Sequence, residues 1–128
     1  MRRYSTATGL MRRAKRVEAD GHTFDSKIEA KRYRQLKLLA AAGDIVDLKI
    51  HPTYKLIIKS DAVGTYTADF SYLEIERSGA NGEIRRDVIE DVKPANRTSR
   101  GYFLTRDSAL RIKIFEAIYG RRVTIVAM

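Results

Sequence analysis

Apolar and polar positions alternate along the chain with two different periods. Over residues 26–42, Tyr33, Leu36, Leu39 and Ala40 recur at three- and four-residue steps, the stripe of a helix that buries one side, and Gly43 follows as a stop. Residues 45–50 and, beyond Pro52, 54–59 alternate only partly, which predicts an entry strand and its extension. The strongest strand pattern lies in residues 65–76 and 83–93, separated by Ser78-Gly79-Ala80-Asn81-Gly82, a run of turn formers, so the two should make one long antiparallel hairpin. Pro94 cannot donate to a ladder and ends the second arm, releasing a polar loop over 95–102 that carries Arg97 and Arg100. A second helix over 105–119 is expected to bury Leu110, Ile114 and Ala117, flanked by Phe115 and Ile118, with Gly120 closing it. Residues 123–126 then return as a final strand, joined to the sheet by a helical crossover. The order is helix, three antiparallel strands, helix, strand, an α+β or mixed α/β domain around one central sheet.

Length and charge narrow the picture. A chain of 128 residues with 44% hydrophobic residues makes one domain, here residues 21–128, preceded by a basic arm over 1–20. That arm carries Arg2, Arg3, Arg12, Arg13, Lys15 and Arg16 with little apolar periodicity, and reads either as a segment that orders on a phosphate backbone or as a solvated tail. Against 16 Asp and Glu stand 25 Lys and Arg, and the net charge of +9 favours a polyanionic partner such as DNA. No apolar run approaches the roughly 18 residues that span a bilayer and no signal-peptide core follows the basic start, so a cytoplasmic protein with no membrane partner is expected. Without cysteine there is no thiolate zinc site and no cysteine nucleophile, and a metal must rest mainly on carboxylates. His22 and His51 are the imidazoles available, and both read as structural or surface residues.

The hairpin supplies the chemistry. Opposed residues in it have a constant sum of positions, and a turn centred on Ala80 makes that sum about 160, so Asp69 faces Asp91. The same register pairs Tyr72 with Val88 and Glu74 with Arg86, both favourable matches. Two opposed carboxylates repel, and burial raises their pKa further, unless a cation or a proton lies between them. Strand alternation puts Lys93 on the face of Asp91 and turns Glu90 away. Asp-x-Lys alone reads as an ordinary surface salt pair; its position opposite Asp69 is what distinguishes it here. Glu29 begins the buried stripe of the first helix and is a third acid, although Ser26-Lys27-Ile28-Glu29 also fits a capping box in which Glu29 returns to the amide of Ser26. Three acids and a lysine suit Mg²⁺ or Mn²⁺ and metal-assisted phosphodiester hydrolysis, in which an ammonium orients or deprotonates water and offsets charge on the phosphate. Tyr66, Tyr72, Tyr102 and Phe103 are candidates for stacking on bases or for the core.

The run from Phe24 to Tyr33, then Thr67-Ala68-Asp69-Phe70, then Glu90-Asp91-Val92-Lys93 resembles a family of small phage and prophage nucleases across residues 22–126. It is similar more widely to the PD-(D/E)XK superfamily, including phage endonuclease I-type Holliday junction resolvases and transposon-end-cleaving nucleases. The resemblance implies a restriction-endonuclease-like fold and a metal-dependent DNA endonuclease of recombination or repair, phage-encoded and working in the bacterial host cytoplasm. It gives Asp69 the place of the first aspartate, Asp91 the second acid, Lys93 the lysine and Glu29 the helix acid, with the Val92 carbonyl a further metal ligand. Ala68 stands where the motif's proline would be, and Asp91 where glutamate is more common, which leaves Glu90 as a substitute after a register change. The resemblance also implies a basic late helix, so Arg111 and Lys113 join Arg12, Arg13, Lys15, Arg16, Lys27, Arg97 and Arg100 as expected contacts to duplex or branched DNA. Symmetric cuts across a junction would need a homodimer. The rival reading is a non-catalytic, basic DNA-binding or recombination accessory protein, with the acids serving caps and salt pairs.

Overall fold

The computed structural model describes residues 16–96 and 101–128. Expected DNA contacts Arg12, Arg13, Lys15, Arg97 and Arg100 therefore lie outside the described residues.

The chain opens with a small antiparallel hairpin, β1 (Val17–Ala19) and β2 (His22–Phe24). A domain boundary at residue 20 cuts through this hairpin, because Asp20 and Gly21, both at positive φ, form its turn. Three-residue strands are too short to show a period in sequence; Phe24 nevertheless fills the core and Tyr33 donates its hydroxyl to Asp20 at 3.0 Å.

Helix α1 (Lys27–Ala41) follows, with Ser26 as N-cap. Ala30, Tyr33 and Leu36 are its buried apolar side chains, and they pack on one face of a four-stranded sheet with Phe24, Ile45, Phe70, Tyr72 and Val92. The sheet contains β3 (Ile45–Ile50), β6 (Phe70–Arg77), β7 (Glu83–Lys93) and β10 (Thr124–Ala127), in the spatial order β10-β7-β6-β3. Strands β3, β6 and β7 are antiparallel neighbours and β10 lies parallel to β7, so the sheet is mixed and the fold is α+β. Helix α2 (Arg106–Tyr119), from N-cap Thr105 to a left-handed Gly120, makes the crossover to β10 and covers the opposite face. Between β7 and α2, β8 (Ala95–Asn96) pairs with β9 (Gly101–Tyr102).

The face that α2 buries differs from the expected one. Ile112 and Phe115 are buried, while Leu110 is 58% exposed, Ala117 is exposed and Ile118 lies at the surface. Apolar residues occupy most sides of this helix, so periodicity did not select a stripe; docking against Leu56, Tyr66, Ala68 and Ile89 did.

The long strand expected over 65–76 is two strands. β5 (Asp61–Thr67) pairs with β4 (Thr53–Ile58) in a separate ribbon, and after Ala68 and Asp69 the chain enters β6. The neighbouring strand changes direction at the same level, where His51 (φ 54°) and Pro52 separate β3 from β4. His51 donates its amide to the Asp69 carbonyl at 2.9 Å and Ala68 donates to Pro52 at 3.0 Å, so the two bends are tied together. Among the described residues no helix is long and apolar enough to cross a membrane.

Candidate metal centre

The paired bends set the site. From Phe70↔Glu90 to Arg77↔Glu83 the β6–β7 register follows the expected constant sum, including Tyr72↔Val88 and Glu74↔Arg86. Asp69 sits one residue before β6 and donates its amide to the Glu90 carbonyl at 3.0 Å, which brings its side chain to Asp91 on β7. Asp69 Oδ2 accepts the Val92 amide at 2.7 Å, while Asp91 Oδ2 accepts the Tyr66 hydroxyl at 2.8 Å and Oδ1 lies 3.8 Å from Lys93 Nζ. Since a strand residue's N–H and C=O point to the same edge, the Val92 carbonyl is aimed toward the Asp69 side as well.

Glu29 reaches this group from the start of α1, and its two oxygens divide the roles that sequence left open. Oε1 accepts the backbone amide of Asp25 at 2.9 Å, one residue earlier than the capping box predicts, while Ser26 Oγ accepts the Glu29 amide at 3.3 Å. Oε2 faces His51 Nε2 at 3.1 Å. Ligand atoms of Glu29, His51 and Asp69 all lie within 4.8 Å of one another. Glu29 thus both caps the helix and belongs to the acid cluster, and His51, expected to be structural, stands inside it.

The carboxylates are held uncomfortably. Burial, and then the neighbouring Glu29, push the Asp69 carboxyl up to about 7 against the opposing pull of Asp91 and the Val92 amide. Burial and then Asp69 push Asp91 up to about 7 as well, with the Tyr66 hydroxyl and Lys93 pulling the other way. Burial followed by Asp91 also raises the Tyr66 phenol, so it stays protonated and donates. Either protons or a cation must relieve this cluster, and oxygen-rich donors with one imidazole fit a divalent ion.

Glu90 is not an alternative to Asp91. It points to the α1 face, is 1% exposed, and accepts two bonds from Arg32, Nε to Oε1 at 2.9 Å and Nη2 to Oε2 at 2.6 Å, with the Tyr72 hydroxyl donating to Oε2. Moving it into the site would leave the half-buried Arg32 without its carboxylate.

Asp69, Asp91 and Lys93 line a cleft of about 280 Å³ with Thr65, Tyr66, Thr67, Ser108 and Arg111. Arg111 is held at its rim by bonds to the Thr65 carbonyl (2.9 Å) and Asp107 (3.1 Å). Lys113, two residues on, borders a different groove with Glu116 and Arg122, because a helix turns residues two positions apart to nearly opposite sides. Arg16 and Lys27 are exposed near the first hairpin and the start of α1. A larger groove of about 690 Å³ is lined by Arg86, Arg121 and Arg122, but Glu74, Asp87 and Glu116 pair with them. Tyr66 and Tyr72 are buried hydrogen-bond donors, whereas Tyr102 and Phe103 are exposed. No local pattern announced the role of Tyr66. The signal for His51 was weak: a histidine before proline at a strand end.

Residues 11–127 match a family described as a protein of unknown function, DUF1064. The chain belongs to the DUF1064 family. Neither curated proteins nor solved structures gave a match. In this DUF1064 chain the matched span includes every residue of the acid cluster, from Glu29 to Lys93.

Proposed function

We propose that the chain is a Mg²⁺- or Mn²⁺-dependent DNA endonuclease with a restriction-endonuclease-like fold and a PD-(D/E)XK centre made by Glu29, Asp69, Asp91 and Lys93. The observation that carries this reading is the meeting of half-buried Asp69, one residue before β6, with buried Asp91 on β7, both raised to about 7, with the Lys93 ammonium 3.8 Å from Asp91. A purely structural pair would be expected to avoid such repulsion.

A divalent cation held by these carboxylates would polarise a phosphodiester and acidify water. The remaining work falls to the chain. Tyr66 and the Val92 amide fix the rotamers of Asp91 and Asp69, so that the acids need no reorganisation when substrate arrives. Lys93 lies where an ammonium can orient the attacking water and offset charge developing on the phosphate. Arg111 at the rim meets a flanking phosphate, and the excess of basic residues supplies affinity for the DNA backbone. Duplex or branched DNA is the substrate class, in a recombination or repair role such as the phage nucleases have, and symmetric junction cutting would require a homodimer.

Incubating the chain and Asp91→Ala with linear, nicked, single-stranded and four-way-junction DNA, in Mg²⁺ or EDTA, tests this. Cleavage by the wild type that needs metal and Asp91 is expected. DNA binding without any metal-dependent cleavage would favour the accessory-protein reading.

A further inference from the structure

His51 is absent from the residues that the nuclease resemblance brings forward, yet the fold delivers it to the carboxylates. Its amide is bonded to the Asp69 carbonyl, its ring packs on Phe24 at 5.9 Å between centroids, and its backbone takes a left-handed conformation that non-glycine residues seldom adopt. Its Nε2 is turned to Glu29 Oε2 at 3.1 Å, in the group that includes Asp69. We propose that His51 is a direct ligand of the cation held by Glu29 and Asp69, and that its imidazole shifts the preference of the site from Mg²⁺ toward Mn²⁺.

The proposal rests on the metal-centre reading above and specifies which ion that centre takes. Adjacent ligand atoms of an octahedral ion with bonds of about 2.1 Å lie about 3 Å apart, so the His51–Glu29 spacing is that of two neighbours in one coordination shell. A hydrogen bond has the same length, and an imidazole that only oriented Glu29 would be a positioning residue. The two roles differ in chemistry. Mg²⁺ is hard and keeps to oxygen donors and water, whereas the later first-row ions gain from imidazole nitrogen, Mn²⁺ the least among them and still more than Mg²⁺. A nitrogen ligand therefore separates the ions, and an orienting hydrogen bond strengthens Glu29 toward both alike. The side chain of His51 is 36% exposed, so an ion reaches it from solvent without opening the core.

The test uses the full chain freed of metal with EDTA, then titrated with Mn²⁺ or Mg²⁺ alone, without DNA. Electron spin-echo modulation of bound Mn²⁺ reports a directly coordinated imidazole nitrogen, and calorimetry gives both affinities. His51→Asn retains a residue that tolerates the left-handed backbone, and His51→Ala serves as a second variant, each checked by thermal unfolding of the apo protein. The expected result is nitrogen modulation in the wild type that both variants lose, with Mn²⁺ affinity falling about tenfold or more and Mg²⁺ affinity changing less than about twofold. Mn²⁺ binding without nitrogen modulation, or equal losses for the two ions, overturns the ligand role of His51 and leaves the nuclease reading standing. Absence of binding by either ion, with Asp69→Ala behaving as wild type, overturns both.

Discussion

At the scale of single residues, Asp69 is under tension. It loses water and faces Glu29, which together outweigh the bonds from Asp91 and the Val92 amide and raise its carboxyl in the folded apo protein. Asp69→Asn should raise apo stability by about 1–2 kcal/mol at pH 8 and remove the stabilisation that metal gives, read by denaturant melts with and without Mn²⁺. Unchanged metal stabilisation would contradict the shared site. The sign of the pH dependence follows from the raised carboxyls of Asp69 and Asp91. Folded pKa values near 7 against an ordinary 3.8 mean that their contribution is fully present below about pH 4 and is lost as pH rises through 7. Apo stability should therefore gain less from pH 5 to pH 8 in the wild type than in an Asp69→Asn, Asp91→Asn double variant. Across the sheet the balance is opposite: Glu90, buried in the core, is satisfied by the half-buried Arg32. Arg32→Ala should cost about 3–5 kcal/mol, while Lys27→Ala, on the exposed first turn of α1, should stay within about 0.5 kcal/mol; comparable urea midpoints for the two would contradict that assignment.

At the scale of elements, what could be read from sequence depended on how local the cause was. The β6–β7 register was readable because a turn centred on Ala80 fixes it by counting, and Tyr72↔Val88 and Glu74↔Arg86 followed. The first helix was readable from its cap and its stripe. The break at Ala68–Asp69 was not, since an unbroken alternation through residue 76 says nothing of a strand changing neighbours, which the bonds to Pro52 and Glu90 settle. His51 was missed for the same reason, as its contact with Glu29 spans 22 residues and depends on two bends meeting. The buried face of α2 depended on the ribbon β4–β5, itself unexpected as a separate unit. Phe115→Ala should therefore destabilise by about 3–5 kcal/mol, and Leu110→Ala by less than about 0.5 kcal/mol, measured by thermal or urea unfolding; the reverse order would restore the face that periodicity suggested.

At the scale of the whole molecule, the mixed sheet keeps two kinds of buried charge apart. On the α1 face, Glu90 and Arg32 form a closed pair; at the end of β6 and β7, Glu29, His51, Asp69, Asp91 and Lys93 form a cluster that opens to a cleft. With a net charge of +9, the proposed nuclease should bind DNA with an affinity that falls steeply with salt, while the acids of the site repel phosphate until a cation is present. On the proposed reading, binding of DNA and its hydrolysis should be separable. Asp91 decides between them most directly, because it shares its position with Lys93, is held by Tyr66, and serves no core contact that Glu90 could replace. The decisive measurement is cleavage of linear and junction DNA in Mn²⁺ and Mg²⁺ by the wild type and by Asp91→Asn at equal DNA occupancy. Metal-dependent strand scission that falls by about two orders of magnitude or more in the variant is expected, and scission that persists in the variant or proceeds in EDTA would contradict the account.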